Sequence, residues 1–138
     1  MTSISFRILP PMGRGKPKYE LTQCVEVMCL YDFPDAEMTF LRIRNARMYF
    51  EPGFLWDGPS GPIVDTVDWM VPSLAHDGLY ELMRAGKIPL SFRRNADRQM
   101  AVMLKDARMS WIKRVYSYLG VRIMGGARIR RSMSKRGA

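Results

Sequence analysis

The segment SLAHDGLY, residues 73–80, places the only histidine of the chain directly before an aspartate and four residues before a tyrosine. On a helix, His76 and Tyr80 share one face, because side chains four residues apart are neighbours there. A second aspartate, Asp97, follows within NADRQM, residues 95–100. These residues predict a helix that presents a histidine and a tyrosine to a neighbouring element.

Three helices are predicted in this half of the chain, each beginning at a serine that can cap its first turn. The serines and approximate ranges are Ser73 with 73–85, Ser91 with 91–106, and Ser110 with 111–124. Pro72 favours a start at the first of these serines. Gly86 and the pair at 125–126 predict the ends of the first and third helices.

Asp97 lies on an apolar stripe of the second helix, together with Met100, Ala101 and Leu104. A buried carboxylate is costly unless it is paired and hydrogen-bonded. His76 lies on the apolar stripe of the preceding helix and is the natural partner, with the Tyr80 hydroxyl as a second donor. We therefore predict a His76–Asp97 contact across the seam between two helices.

The first half of the chain has strand character. YELTQCVEVMCL, residues 19–30, alternates in part and predicts a strand. MTFLRIRNARMYF, residues 38–50, predicts a hairpin that turns near Asn45. The odd separation of Cys24 and Cys29 directs their side chains to opposite faces, so no disulfide is expected between them. The predicted fold class is α+β, with N-terminal strands followed by a three-helix core.

A chain of 138 residues predicts one domain. We assign residues 1–18 to an N-terminal arm, 19–125 to a single α+β domain and 126–138 to a basic tail. No apolar run is long enough to span a membrane. The first residues lack the apolar block of a secretory signal, which favours a cytoplasmic site of synthesis.

The net charge of +9 lies entirely in residues 107–138, which carry nine Lys or Arg and no acidic residue. Such a stretch favours an anionic partner: nucleic acid, an anionic membrane or an acidic protein. A solvated tail without a partner is the alternative. The candidate partner-binding residues are Arg128, Arg130, Arg131, Lys135 and Arg136.

A histidine held by a carboxylate can act as a base, because the carboxylate sets the tautomer and leaves the other ring nitrogen free. With a water in reach, the result is a general-base hydrolase site. Asp77 could bind a hard cation together with carbonyls of the loop EPGFLWDGPSGP, residues 51–62. The alternative is a polar contact that only joins two helices. One histidine and two distant cysteines do not form a transition-metal site.

The pattern HDxxY, with a later helical aspartate and a preceding glycine-rich loop, resembles the core of phospholipase A2 enzymes, particularly their compact viral and bacterial forms. The resemblance implies that His76 activates water and that Tyr80 and Asp97 orient the histidine. It also implies that Asp77 binds Ca²⁺ with carbonyls of Gly58 or Gly61. The loop sequence DGPSGP departs from the usual glycine-loop pattern of that family because it is rich in proline.

A second resemblance covers roughly residues 45–125. PGFLWDGPSGP, HDGLY, the AD pair at 96–97 and YSYLGVRIMGG are together similar to a small uncharacterised family of tailed phages and prophages. The resemblance implies a virion protein, made in the cytoplasm of a bacterial host and surrounded by other virion proteins. Two functions stay open: a minor tail, neck or capsid-associated structural or adaptor protein, and a calcium-dependent phospholipase or esterase that acts on the host membrane.

Overall fold

The computed structural model describes residues 4–13, 15–58, 67–106, 118, 119 and 122. These residues form seven short strands, a 3-10 turn and two helices in an α+β arrangement, which confirms the predicted fold class. The strands are β1 (Phe6–Ile8), β2 (Tyr19–Leu21), β3 (Val25–Met28), β4 (Ala36–Met38), β5 (Leu41–Arg44), β6 (Arg47–Phe50) and β7 (Leu55–Trp56). The helices are α1 (Val67–Arg84) and α2 (Arg93–Asp106), with the 3-10 turn at Leu90–Phe92 between them.

The strands form two antiparallel sheets, ordered β1-β2-β7 and β3-β6-β5-β4. The predicted hairpin is confirmed as β5 and β6, with Asn45 and Ala46 at positive φ in its turn. The prediction of one strand over residues 19–30 is wrong, since β2 pairs with β7 while β3 pairs with β6. Burial alternates in the same phase through both strands, so the pattern along the chain does not reveal the change of partner.

The N-terminal segment contributes to the first sheet. Phe6, in β1, lies edge-on to Tyr19 at 5.4 Å and to Trp56 at 6.2 Å between ring centroids. Residues 6–8 therefore do not form an arm outside the core as predicted, because strand pairing and aromatic packing bind them to β2. The two cysteines are free, with Cys24 exposed and Cys29 buried, as expected.

Helix α1 already includes Val67, six residues before the predicted start, and Pro72 lies inside it. Ser73 does not cap the helix: its hydroxyl donates to the Met70 carbonyl at 3.0 Å and accepts the Trp56 indole N–H at 3.3 Å. The serine thus joins α1 to the first sheet. The helix ends at Arg84, and Gly86, with φ of 72°, follows it as the predicted stop.

Helix α2 is preceded by the 3-10 turn and not by a serine cap. Pro89 precedes that turn without a side-chain hydrogen bond, and Ser91 lies within the turn, so the predicted capping role of Ser91 is wrong. The helix extends to Asp106, the last residue described in this range, so its predicted end near residue 106 stays a prediction. The predicted third helix lies almost entirely outside the described residues, and the basic tail lies wholly outside them.

Gly78 sets the distance between α1 and the second sheet. A Cβ atom at this position would come within 2.7 Å of the Phe50 ring and 3.1 Å of Leu41. Since successive helical residues are rotated by about 100°, His76 and Tyr80 lie about 160° around the helix from Gly78. The face of α1 opposite the sheet therefore carries the histidine and the tyrosine toward α2.

Candidate functional site

The predicted contact between the two helices is present. His76 Nε2 lies 2.7 Å from Asp97 Oδ1, and the Tyr80 hydroxyl donates to the same oxygen at 2.5 Å. The ring centroids of His76 and Tyr80 are 4.2 Å apart. Asp97 has no exposed surface and His76 is only 6% exposed. A short charge-assisted hydrogen bond between buried side chains is a strong interaction.

Arg122 completes the site, and the sequence did not single it out for this role. Its Nη1 lies 3.1 Å from Asp97 Oδ2, so both oxygens of the carboxylate are bonded. Arg93 donates to the Arg122 carbonyl at 3.0 Å, which ties this residue to the start of α2. The only available signal was that a fully buried carboxylate needs donors on both oxygens. We call His76, Tyr80, Asp97 and Arg122 the polar cluster.

The second ring nitrogen of His76 faces Asp77. His76 Nδ1 lies 3.8 Å from Asp77 Oδ1, and the backbone N–H of Asp57 donates to Asp77 Oδ2 at 3.2 Å. The Asp77 side chain is 25% exposed. Part of the predicted loop, residues 51–62, therefore lies beside Asp77, although Leu55 and Trp56 within it form β7 because they pair with β2.

Burial and neighbouring charges shift the pKa values of His76 and Asp97 in opposite directions. Burial lowers the pKa of His76, but the nearby Asp77 carboxylate and the hydrogen bond and charge of Asp97 outweigh it and leave the pKa above its usual value. Burial raises the pKa of Asp97, but His76, Tyr80 and Arg122 outweigh it and leave the pKa below its usual value. Burial, together with the Asp97 carboxylate, raises the pKa of Tyr80. Both directions favour the charged forms of the pair, imidazolium and carboxylate, relative to the same side chains in water.

We expect the melting temperature of the wild-type chain to fall as the pH rises from about 6.5, the ordinary pKa of histidine, through the raised pKa of His76. Because the pKa of His76 is raised on folding, its contribution is complete below its unfolded pKa and is lost as the pH rises through the folded pKa. Asp97 acts at the other end: its contribution is present above its unfolded pKa and is lost as the pH falls through the lowered folded pKa. Calorimetry on the wild type and on His76→Gln checks the role of His76. An equal decrease in melting temperature at alkaline pH in both proteins would contradict that role.

The predicted cation site is only partly within the described residues. Gly58 is buried with φ of 79° directly after Asp57, whereas Gly61 lies outside the described ranges. Within those ranges, no group of three or more His, Cys, Asp or Glu could hold a metal ion. Ca²⁺ takes six to eight oxygen ligands, many of them carbonyls. Calcium binding by Asp77, Gly58 and Gly61 stays a prediction.

Comparisons with protein-family models, with curated proteins and with solved structures found no match. None of the helices in the described ranges has the length and apolar character needed to cross a membrane. The candidate partner-binding residues Arg128, Arg130, Arg131, Lys135 and Arg136 lie outside the described residues. Function is therefore inferred from the polar cluster and from the surface around it.

Proposed function

We propose that this chain is a structural or adaptor component of a phage particle, in which the polar cluster is an internal structural link. The observation that carries the proposal is the complete bonding of Asp97: it is fully buried, and His76, Tyr80 and Arg122 occupy both of its oxygens. A network satisfied in this way holds its segments in one register. The phage setting is supported by the resemblance of the loop and HDGLY motifs.

An adaptor role is also supported by the N-terminal surface. Ile8 is 72% exposed and Met12 is 65% exposed. Both line a groove of about 350 Å³ that also contains Pro10, Pro11 and Tyr19. Clustered exposed apolar side chains are typical of surfaces that contact other proteins. We propose that this surface contacts neighbouring virion proteins.

The second candidate function is a calcium-dependent phospholipase or esterase that acts on the host membrane. It is favoured by the orientation of His76, whose Nε2 is bonded to Asp97 while Nδ1 faces Asp77 and the start of the glycine-rich loop. In this role Nδ1 removes a proton from a water molecule, and the water oxygen attacks an ester carbonyl. The ester C–O bond then breaks, and the imidazolium returns the proton to the departing alkoxide, so a fatty acid and an alcohol are released. The basic C-terminal region would bind the anionic lipid surface. Because only a neutral imidazole accepts the proton, activity would rise as the pH passes the raised pKa of His76.

One experiment separates the two functions. We expect no fatty-acid release from phosphatidylglycerol vesicles by the wild-type chain, with Ca²⁺ or with a chelator, and no effect of Ca²⁺ on its melting temperature. The esterase would instead release fatty acid only with Ca²⁺ and lose at least about 100-fold of that activity in His76→Gln, as removal of a general base predicts. Asp32→Asn is the matched control, because Asp32 is exposed and distant in sequence from the polar cluster. Release that disappears in His76→Gln but survives in Asp32→Asn would overturn the purely structural role.

A further inference from the structure

Three cations form a line on the exposed side of α2. Arg94, Arg98 and Lys105 are all exposed. At 100° per residue they fall within about 40° of one another around the helix, and at 1.5 Å per residue they extend over roughly 16 Å. We call these three residues the basic stripe.

Among the residues whose side chains the structure describes, which do not include Asp106, no carboxylate lies within 4.0 Å of the three cations of the basic stripe. Two acids belong to α2: Asp97 is buried and bonded in the polar cluster, and Asp106 is the last described residue of the helix. The arginines of the second sheet behave differently, since each is paired with a glutamate. The pairs are Arg42–Glu51 at 3.9 Å, Arg44–Glu37 at 3.1 Å and Arg47–Glu26 at 2.7 Å.

We infer that the basic stripe binds the phosphate backbone of a nucleic acid. A linear row of unpaired cations is complementary to a linear row of phosphates, and such contacts supply affinity without reading the bases. The chain that follows α2 has the same sign, with nine Lys or Arg and no acid after residue 106. The stripe and the basic C-terminal region would therefore act on one polyanion.

The apolar side chains of α2 argue against a lipid or protein partner. Met100 and Leu104 are buried, and Val102, at 39% exposure, is the large apolar residue that α2 exposes within the described ranges. A helix that binds a membrane surface inserts its apolar face into the lipid, and here that face is already covered. Protein interfaces are typically centred on buried aromatic or aliphatic anchors, which the stripe lacks.

The test measures binding of the full chain to a fluorescent DNA duplex of mixed sequence at several salt concentrations. The variant Arg94→Gln/Arg98→Gln/Lys105→Gln should bind about tenfold or more weakly at low salt. Its plot of log affinity against log salt should be shallower by about 2–3, because each lost phosphate contact removes about 0.9 from the slope. The matched control Arg42→Gln/Arg44→Gln/Arg47→Gln removes the same charge from the second sheet and should change the slope by less than about 1.

The inference is supported if the stripe variant loses DNA binding while the control variant of the second sheet binds DNA nearly as well as the wild type. Equal losses in both variants would show that net charge alone matters and would overturn it. Unchanged DNA binding in the stripe variant would also overturn the inference. If the variant lost binding only to phosphatidylglycerol vesicles or only to polyglutamate, the surface would be reassigned to a membrane or to an acidic protein. Circular dichroism confirms that both variants are folded.

Discussion

Replacing Asp97 with alanine is expected to lower the free energy of unfolding by about 3–5 kcal/mol, as removal of one partner from a buried ion pair does. The carboxylate has no exposed surface and accepts hydrogen bonds from His76, Tyr80 and Arg122. In the variant, the histidine at 6% exposure and the tyrosine at 3% exposure would lose their shared acceptor while remaining buried. Urea unfolding followed by circular dichroism measures the loss.

Two further variants make the Asp97 result specific. Asp32→Ala removes an exposed carboxylate and should change the free energy of unfolding by less than about 0.5 kcal/mol. Tyr80→Phe removes a single donor and should cost about 1–3 kcal/mol. A loss below about 1 kcal/mol for Asp97→Ala would contradict the internal structural role of the polar cluster, because a buried pair of this kind cannot be broken at so small a cost.

Trp56→Ala is expected to cost about 3–5 kcal/mol, the usual effect of truncating a buried aromatic side chain. Trp56 is 2% exposed, and its ring lies 5.4 Å from the Tyr19 ring and 6.2 Å from that of Phe6. Its indole N–H donates to Ser73 in α1. The residue therefore joins the first sheet to the helix that carries His76, and truncation leaves a cavity at that junction.

The neighbouring residue Leu55 provides the matched control. It lies on the same strand, points the other way and is 45% exposed, so Leu55→Ala should cost less than about 1 kcal/mol. Comparable losses in the two variants would contradict the inward orientation of Trp56. Because Asp57 follows Trp56 and donates to Asp77, Trp56→Ala should also loosen the start of the glycine-rich loop, which limited proteolysis would report.

The contact between the two helices could be predicted because a charged residue lies on an apolar helix face. Asp97 lies on an apolar stripe, and an unpaired carboxylate there would cost several kcal/mol, so the sequence had to supply a donor. The chain has one histidine, and its helical spacing to Tyr80 places both on a face available for pairing. The contribution of Arg122 could not be predicted in the same way, since nothing local distinguishes it from the other cations of the C-terminal region.

The start of α1 shows where local rules mislead. A proline followed by a serine is a standard signal for a helix start, yet α1 continues through Pro72 and uses Ser73 to accept the Trp56 indole N–H. The benefit of packing the preceding residues, among them Trp69 at 1% exposure and Met70 at 2%, outweighs the one backbone hydrogen bond that a proline removes. Packing of this kind depends on residues far away in the chain.

Patterns along the chain were sufficient for the α+β class, the hairpin around Asn45, the end of α1 before Gly86 and the pairing of His76 with Asp97. Each of these depends on residues within one turn or one helix face, or on the cost of burying a single charge. Tertiary structure alone decided the division of residues 19–30 between two sheets, the helical conformation of α1 ahead of Pro72 and the place of Arg122 on Asp97. Those features depend on contacts between residues that are far apart in the sequence, and the free energy of such contacts is gained only when the elements pack together.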